Sequence, residues 1–302
     1  MRILVVGGLG YLGSIISDKL MREENEVDIF DLCLFDNRDV INDLYKSRNP
    51  NIVSTITSTF DGVYSLLKDK KYDHIIWCSN IDIEGFYEKF IEHKKQTLNL
   101  FDSIVSGIPM TICLDYKNND TITHYMYNKS EKHNRIWIPP LYGPSLRMRW
   151  DTIINQIMFG FFTEKTVLLG QNWMTKIPIC RVSQMASIVI DVIQQKPFEN
   201  YIEGQFSILE LVFMIKSFLD TEEDSLNIQM SKLNMEDVKD SLFKDIDIDL
   251  TKSVQILEET VLNVKEQLTN RALPDFWNDK YNNEAVLSPI MQNLSVLEKL
   301  NG

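Results

Sequence analysis

The segment ILVVGGLGYLGSIISDKL, residues 3–20, constrains the fold more than any other part of the chain. Ile3 to Val6 form a short apolar run suited to a buried strand, and the residues from Tyr11 onward have the spacing of an amphipathic helix. Gly7, Gly8, Gly10 and Gly13 stand between and just inside these two runs. Glycine weakens helices and strands alike, so a cluster at such a junction marks a backbone that turns tightly or approaches something closely. A strand, a Gly7-x-x-Gly10-x-x-Gly13 turn and a helix together meet the needs of a dinucleotide pyrophosphate. One glycine permits the turn, one lets backbone N–H groups reach the phosphates, and one lets helix and strand pack, while the helix N-terminus supplies partial positive charge.

Asp31 closes the next apolar run, EVDIFDL, at about the 20-residue distance that this arrangement calls for. There it can accept hydrogen bonds from both ribose hydroxyls of an adenosine, and its charge repels a 2′-phosphate, so NAD is expected rather than NADP. Arg38 is a nearby cation that would blunt the preference. Without a ligand, Asp31 reads as a carboxylate at the start of a loop.

Composition bounds the partners. With 302 residues, 44% hydrophobic and 25% charged, the chain can bury a large core as one big domain or two interlocked ones. A net charge of -12 leaves no basic stripe for a phosphate backbone, so nucleic acid is not an expected ligand. Cys33, Cys78, Cys113 and Cys180 are widely spaced and form no C-x-x-C, which reads as reduced, buried thiols in a cytoplasmic protein. No apolar run has the length of a membrane span, and Ile3 to Val6 is too short for the core of a signal peptide. His74, His93, His124 and His133 lack metal-ligand spacing, so no metal is expected.

Up to about residue 140, short apolar runs (ILVV, VDIF, NIVSTI, HIIWC, MTICL) alternate with helical stretches beginning at Tyr11, near Val40, at Asp61 and over 84–106. This alternation predicts a doubly wound parallel sheet of the Rossmann type covered by helices on both faces. Beyond Pro139 come longer helical segments, DTIINQIMFGFF and SQMASIVIDVIQQ, with short strands between them. The expected division is a dinucleotide-binding domain over 1–145, with contributions from about 175–205, and a smaller α/β substrate region over 146–302. Pro139-Pro140 and Gly143-Pro144 end a strand and force a turn, and Ser207-x-x-Glu210 forms a capping box that opens a helix. Trp150, Phe159, Phe161, Phe162 and Trp173 read as core.

These segments, taken in order, resemble the extended short-chain dehydrogenase/reductases, the group of NAD-dependent nucleotide-sugar epimerases, dehydratases and reductases. VVGGLGYLG is similar to the family's glycine turn, and YDHIIWCSN to its fourth strand. TLNLFDSIVSGIPMTICL is similar to its helix leading into the fifth strand, RIWIPPLYGPS to its Y-G-P turn, TKIPICRVSQMASIVIDVI to its R-D-x-x-x-V-D-D segment and EGQFSILELVFMIKSFL to its S-I-x-E helix. The resemblance implies cofactor contacts at Gly7, Gly10, Tyr11, Leu12, Gly13, Asp31, Cys78 and Ser79. For a nucleotide-sugar substrate it implies contacts at Tyr142, Lys176 and Arg181.

It also implies a catalytic Tyr and Lys one helical turn apart between the fifth strand and LYGP, and Tyr125 and Lys129 occupy that place. At i, i+4 they share a helix face, where Lys⁺ would lower the phenol's pKa so that Tyr⁻ takes a sugar hydroxyl proton as hydride passes to nicotinamide. Tyr64 and Lys68 have the same spacing, so position rather than spacing selects Tyr125.

Four departures set a rival beside the enzyme. The end of the fifth strand reads Asp115-Tyr116-Lys117 where the family has Ser or Thr, Cys78-Ser79 replace alanines, and Ser183-Gln184 replace the acidic pair. The stretch between Lys129 and Tyr142 is also short, with Thr121 and Thr123 as substitute hydroxyls or plain helix caps. The two expectations are an NAD-dependent nucleotide-sugar epimerase, dehydratase or reductase, and a catalytically silent dinucleotide-binding protein of the same fold. The lost helix surface points to a monomer or an atypical homodimer.

Overall fold

The alternating runs build a six-stranded parallel sheet in the computed structural model of the chain, in the order β3-β2-β1-β4-β5-β6. The structure describes residues 1–33, 38–47, 49–52, 54–79, 88–116, 121–149, 152–162, 167–169, 173–197, 201–219, 228–230 and 248–269. The strands are β1 (Arg2–Val6), β2 (Glu26–Phe30), β3 (Ile56–Thr57), β4 (His74–Trp77), β5 (Met110–Asp115) and β6 (Asn134–Ile138). Between them run helices α1 (Tyr11–Arg22), α2 (Arg38–Ser47), α3 (Phe60–Asp69), α4 (Glu88–Ile104) and α5 (Thr121–Lys129). The central strands are buried on both faces and mostly apolar, as parallel strands roofed by helices must be. Ile16 and Leu20 of α1 and Val40 and Leu44 of α2 pack on one face, while Val63 of α3, Leu100, Phe101 and Ile104 of α4 and Met126 of α5 pack on the other. The order reverses between β1 and β4, leaving at their carboxyl ends the crevice where open α/β sheets take ligands.

Two boundaries differ from the sequence reading. Among the described residues of the run NIVSTI only the last, Ile56, lies in β3, because Asn49-Pro50-Asn51 forms a turn in which the Asn49 side chain accepts the Asn51 N–H at 3.0 Å. The helix expected over 84–106 is described from Glu88 and ends at Ile104, before Gly107 and Pro109. Asp28, a charge inside β2, is matched by Lys70 at 2.8 Å, the Tyr72 hydroxyl at 2.9 Å and the Thr55 N–H at 2.7 Å.

After β6 the chain turns at Pro139-Pro140 into β7 (Leu141–Tyr142), followed by α6 (Ile153–Phe162), β8 (Val167–Leu169) and β9 (Lys176–Arg181). Then come α7 (Val182–Ile193), β10 (Gly204–Ser207), α8 (Ile208–Leu219), β11 (Ile228–Met230) and α9 (Leu250–Thr269). Strands β10, β9 and β7 form a second sheet, and β11 pairs with β8. Helix α7 packs beside α1, tied by Lys19 Nζ to the Ser183 carbonyl at 3.1 Å and to Ser187 Oγ at 2.6 Å. Residues near 182–193 thus complete one face of the first sheet. The capping box forms as read: the Ser207 N–H donates to Glu210 at 2.7 Å and the Glu210 N–H to Ser207 Oγ at 3.2 Å. Phe159, Phe161, Phe162 and Trp173 belong to the core, and Trp150 lies outside the described residues.

Candidate active site

The glycine turn is built by close contact. Gly7 has φ +77°, and a Cβ there would lie 2.8 Å from the Ser79 backbone nitrogen, so the turn is pressed against the end of β4. A Cβ on Gly13 would fall 2.1 Å from the Gly7 carbonyl oxygen, the close approach of helix to strand that only glycine allows. Gly10 differs: among the described residues a Cβ there meets only the Gly7 oxygen, at 3.3 Å. Its backbone is extended at the N-cap of α1, no side chain caps that helix, and the first turn, Tyr11-Leu12-Gly13, carries no acidic residue. Such a helix start offers backbone N–H groups to an anion.

Asp31 follows β2 at the same edge and is half-buried. Its Oδ2 accepts the Leu9 N–H at 2.9 Å and its Oδ1 the Cys33 N–H at 3.0 Å, which fixes the carboxylate against the glycine turn. Each oxygen keeps a second lone pair for a ribose hydroxyl. Burial pushes the carboxyl pKa up, opposed by these two N–H groups and by the buried Arg147 guanidinium. Cys78 and Ser79 follow β4; the Cys78 N–H bonds the Val6 carbonyl at 2.8 Å, and Trp77 Nε1 holds the Ser79 carbonyl at 2.9 Å. A cradle that Cβ atoms would fill, an uncapped helix start and a fixed carboxylate fit a dinucleotide.

The Tyr11 phenol is used elsewhere. It donates to the Gly143 carbonyl at 2.6 Å and accepts from Asn155 Nδ2 at 3.0 Å, while Asn155 Oδ1 accepts the Gly143 N–H at 3.1 Å. Its side chain ties α1 to the turn after β7.

Tyr125 and Lys129 are brought together, but around a third residue. The Tyr125 hydroxyl donates to Asp102 Oδ2 at 2.5 Å, and Lys129 Nζ lies 3.4 Å from Asp102 Oδ1 and 5.0 Å from the Tyr125 ring centre. Hydrogen bonds donated by the ammonium to the Tyr125 and Asp102 oxygens raise the exposed Lys129 pKa. Asp102 sits in the last turn of α4, the end that leads into the first residue of β5. Helices between parallel strands run back from the carboxyl edge of the sheet, so Asp102 lies toward the amino edge, opposite the side of Gly7, Gly10 and Asp31. Thr121 and Thr123 begin α5, and their side chains, with Lys117, lie outside the described residues.

Tyr142 and Arg181 also converge, on Glu203. Arg181 donates to Glu203 from Nε at 2.7 Å and from its backbone N–H at 2.6 Å, and the fully buried Tyr142 hydroxyl donates to it at 3.3 Å. Burial and the Glu203 charge push the Tyr142 pKa well up. Lys176 and Arg181 stand at opposite ends of β9, about 17 Å apart at strand rise and on opposite faces because their separation is odd. His74 is buried against Thr111 at 2.8 Å, its pKa pushed down to about 4 by burial. Among the described residues no group of three His, Cys, Asp or Glu could hold a metal ion, and no helix is long and apolar enough to cross a membrane.

Solved structures share this architecture. The dTDP-glucose 4,6-dehydratase of Bacillus anthracis, in complex with NAD, superimposes with a TM-score of 0.63 at 15% identity, over 88% of this chain and 97% of that one. The UDP-glucose 4-epimerase of Thermotoga maritima, with UDP-glucose, gives 0.63 at 13% over 89% and 100%. The UDP-N-acetylglucosamine 4-epimerase of Methanobrevibacter ruminantium gives 0.60 at 16% over 88% and 98%. The fold is that of the extended short-chain dehydrogenase/reductases. No family model matches the chain. One curated protein, the UDP-glucose 4-epimerase of Lactobacillus helveticus, is 26% identical over 130 residues, which is 43% of this chain and only 36% of that protein.

Within the extended short-chain fold, the residues that sequence reasoning missed are the acceptors and ties. Asp102, Glu203 and Asn155 each gather groups far away in the chain, and Cys113 meets Cys78. Their pairing partners lie far off in the chain, so spacing gave no signal for these contacts.

Proposed function

We propose that the chain holds NAD(H) at the β1–α1 turn and that its Tyr125–Lys129 pair takes no part in hydride chemistry. The observation that carries this reading is the Tyr125–Asp102 hydrogen bond at the amino side of the sheet. NAD, when bound, supplies a hydride acceptor at its nicotinamide; the chain's own part is to cradle the pyrophosphate at Gly7, Gly10 and Gly13 and to hold the ribose at Asp31. Arg181, the residue expected to hold a substrate diphosphate, is committed to Glu203. The smaller region over 146–302 then serves first to buttress the cofactor domain, through α7 on α1 and through Asn155 on Tyr11.

The second reading, an epimerase, dehydratase or reductase acting on a nucleotide-activated sugar, draws its support from the proteins that share the fold and from the i, i+4 spacing of Tyr125 and Lys129. It requires Tyr125 to leave Asp102 and turn toward the carboxyl edge. Tyr125→Phe separates the two, because it keeps the ring and removes only the hydroxyl. On the silent reading, both forms are stabilised equally by NAD, and neither converts UDP- or dTDP-sugars above background. Turnover by the native protein that falls by about 10²–10⁴-fold in the variant would establish the enzyme instead. In the same assay NAD is expected to raise the melting temperature more than NADP does, because of Asp31; equal shifts would remove Asp31 from the ribose site.

A further inference from the structure

None of the four cysteines is in a disulfide, and two of them meet: Cys78 Sγ lies 3.7 Å from Cys113 Sγ. Strands β4 and β5 are hydrogen-bonded parallel neighbours registered as far as Trp77 opposite Ile112, and the two cysteines are the next residue along each strand. Neighbouring strands lie about 4.8 Å apart, inside the Cα separation of about 4.4–6.8 Å that a disulfide accepts. With the sulfurs already 3.7 Å apart, closing the bond to about 2.0 Å needs only a further short approach of the two side chains. Cys113 is buried at 3% exposure, while Cys78 is half-buried at the carboxyl edge, its carbonyl carbon 3.0 Å from the place of a Cβ on Gly7.

We propose that Cys78 and Cys113 are an oxidisable dithiol beneath the dinucleotide turn, closed to a reversible disulfide by hydrogen peroxide and covered when a dinucleotide is bound. The Cys78 thiolate, the accessible one, attacks a peroxide oxygen; the O–O bond breaks, leaving a sulfenic acid on Cys78 and hydroxide, which takes a proton to become water. Cys113 sulfur then attacks Cys78 sulfur, the S–O bond breaks, and the hydroxyl leaves as water with the Cys113 proton. Two thiols lose two electrons, and one peroxide becomes two waters. The hydrogen bond with Cys113 and burial hold the Cys78 thiol pKa well above its usual value, so at neutral pH little thiolate is present. The reaction is accordingly slow at pH 7 and speeds up with pH, by about tenfold per unit below that pKa.

The disulfide stands on the geometry of the two strands alone; its cover rests on the dinucleotide reading. The test treats the full chain with hydrogen peroxide at pH 7 and pH 9, alkylates remaining thiols, digests without reductant and identifies cysteine peptides by mass spectrometry. The expected product is a Cys78–Cys113 linked peptide that dithiothreitol releases, formed faster at pH 9, and absent from Cys113→Ser, where Cys78 goes to sulfenic or sulfinic acid. A native protein in which Cys78 ends as a sulfinic acid, stays alkylatable or links to Cys33 overturns the proposal, whether or not the variant folds. With NAD at a concentration that raises the melting temperature, linkage should slow several-fold; an unchanged rate there overturns the cover. No thermal shift with NAD would instead count against the dinucleotide reading and leave the disulfide standing.

Discussion

Glu203→Leu is expected to destabilise the protein by about 3 kcal/mol, toward the lower end of what breaking a buried pair costs because Arg181 keeps 31% exposure. The carboxylate accepts from the Arg181 guanidinium, the Arg181 backbone N–H and the Tyr142 hydroxyl, and the leucine would strand all three donors at the seam of β7, β9 and β10. Thermal unfolding should show a fall in the midpoint of roughly 5–10 °C for a chain of this size. Lys176→Gln, at the exposed end of the same strand, should stay within about 0.5 kcal/mol of the native protein. A Glu203→Leu variant as stable as the native protein would show that Arg181 does not depend on this carboxylate and would return it to the list of substrate ligands.

Gly10→Val should abolish the response to NAD while leaving the fold intact. Gly10 has an extended backbone that any residue adopts, and among the described residues its Cβ would meet nothing closer than the Gly7 oxygen at 3.3 Å. The side chain would stand instead over the uncapped start of α1, where the pyrophosphate belongs. At a ligand concentration of about 100 times Kd, binding stabilises the native protein by about 2.7 kcal/mol, a shift of roughly 5–10 °C that the variant should lack. Gly13→Val is the contrasting case. Its Cβ would lie 2.1 Å from a backbone oxygen, so it should damage folding itself. A Gly10→Val protein that keeps the NAD shift would place the dinucleotide away from this turn.

The parts of the molecule that the sequence made legible are those fixed by neighbours along the chain. The glycine turn, the Asp31 position, the strand-helix alternation and the Ser207–Glu210 capping box depend on residues within one or two elements, where propensity and spacing act directly. The turn at Asn49-Pro50-Asn51 obeyed the same local chemistry but was hidden under an apolar run that read as strand. What stayed illegible was the pairing of side chains across the fold. Tyr125 and Lys129 stand out by their place between the fifth strand and LYGP, yet nothing in the sequence pairs them with Asp102, 23 residues before Tyr125. Arg181 is a substrate contact by the family resemblance; Glu203, 22 residues further on, reaches it because β9 and β10 pair antiparallel. Tyr11 was read as a cofactor contact, and its hydroxyl is taken by Gly143 and Asn155, more than 130 residues away.

The central claim is that this chain keeps the dinucleotide cradle of its fold while Asp102 holds Tyr125 away from the chemistry. The most direct measurement is a crystal structure of the protein with NAD bound. The account predicts the pyrophosphate over Gly7, Gly10 and the start of α1, the adenosine ribose on Asp31, and the Tyr125 hydroxyl still on Asp102, beyond the reach of nicotinamide C4 even through one water. A Tyr125 hydroxyl within direct or one-water reach of the space at C4, with Lys129 on the nicotinamide ribose, would contradict it and establish the pair as catalytic.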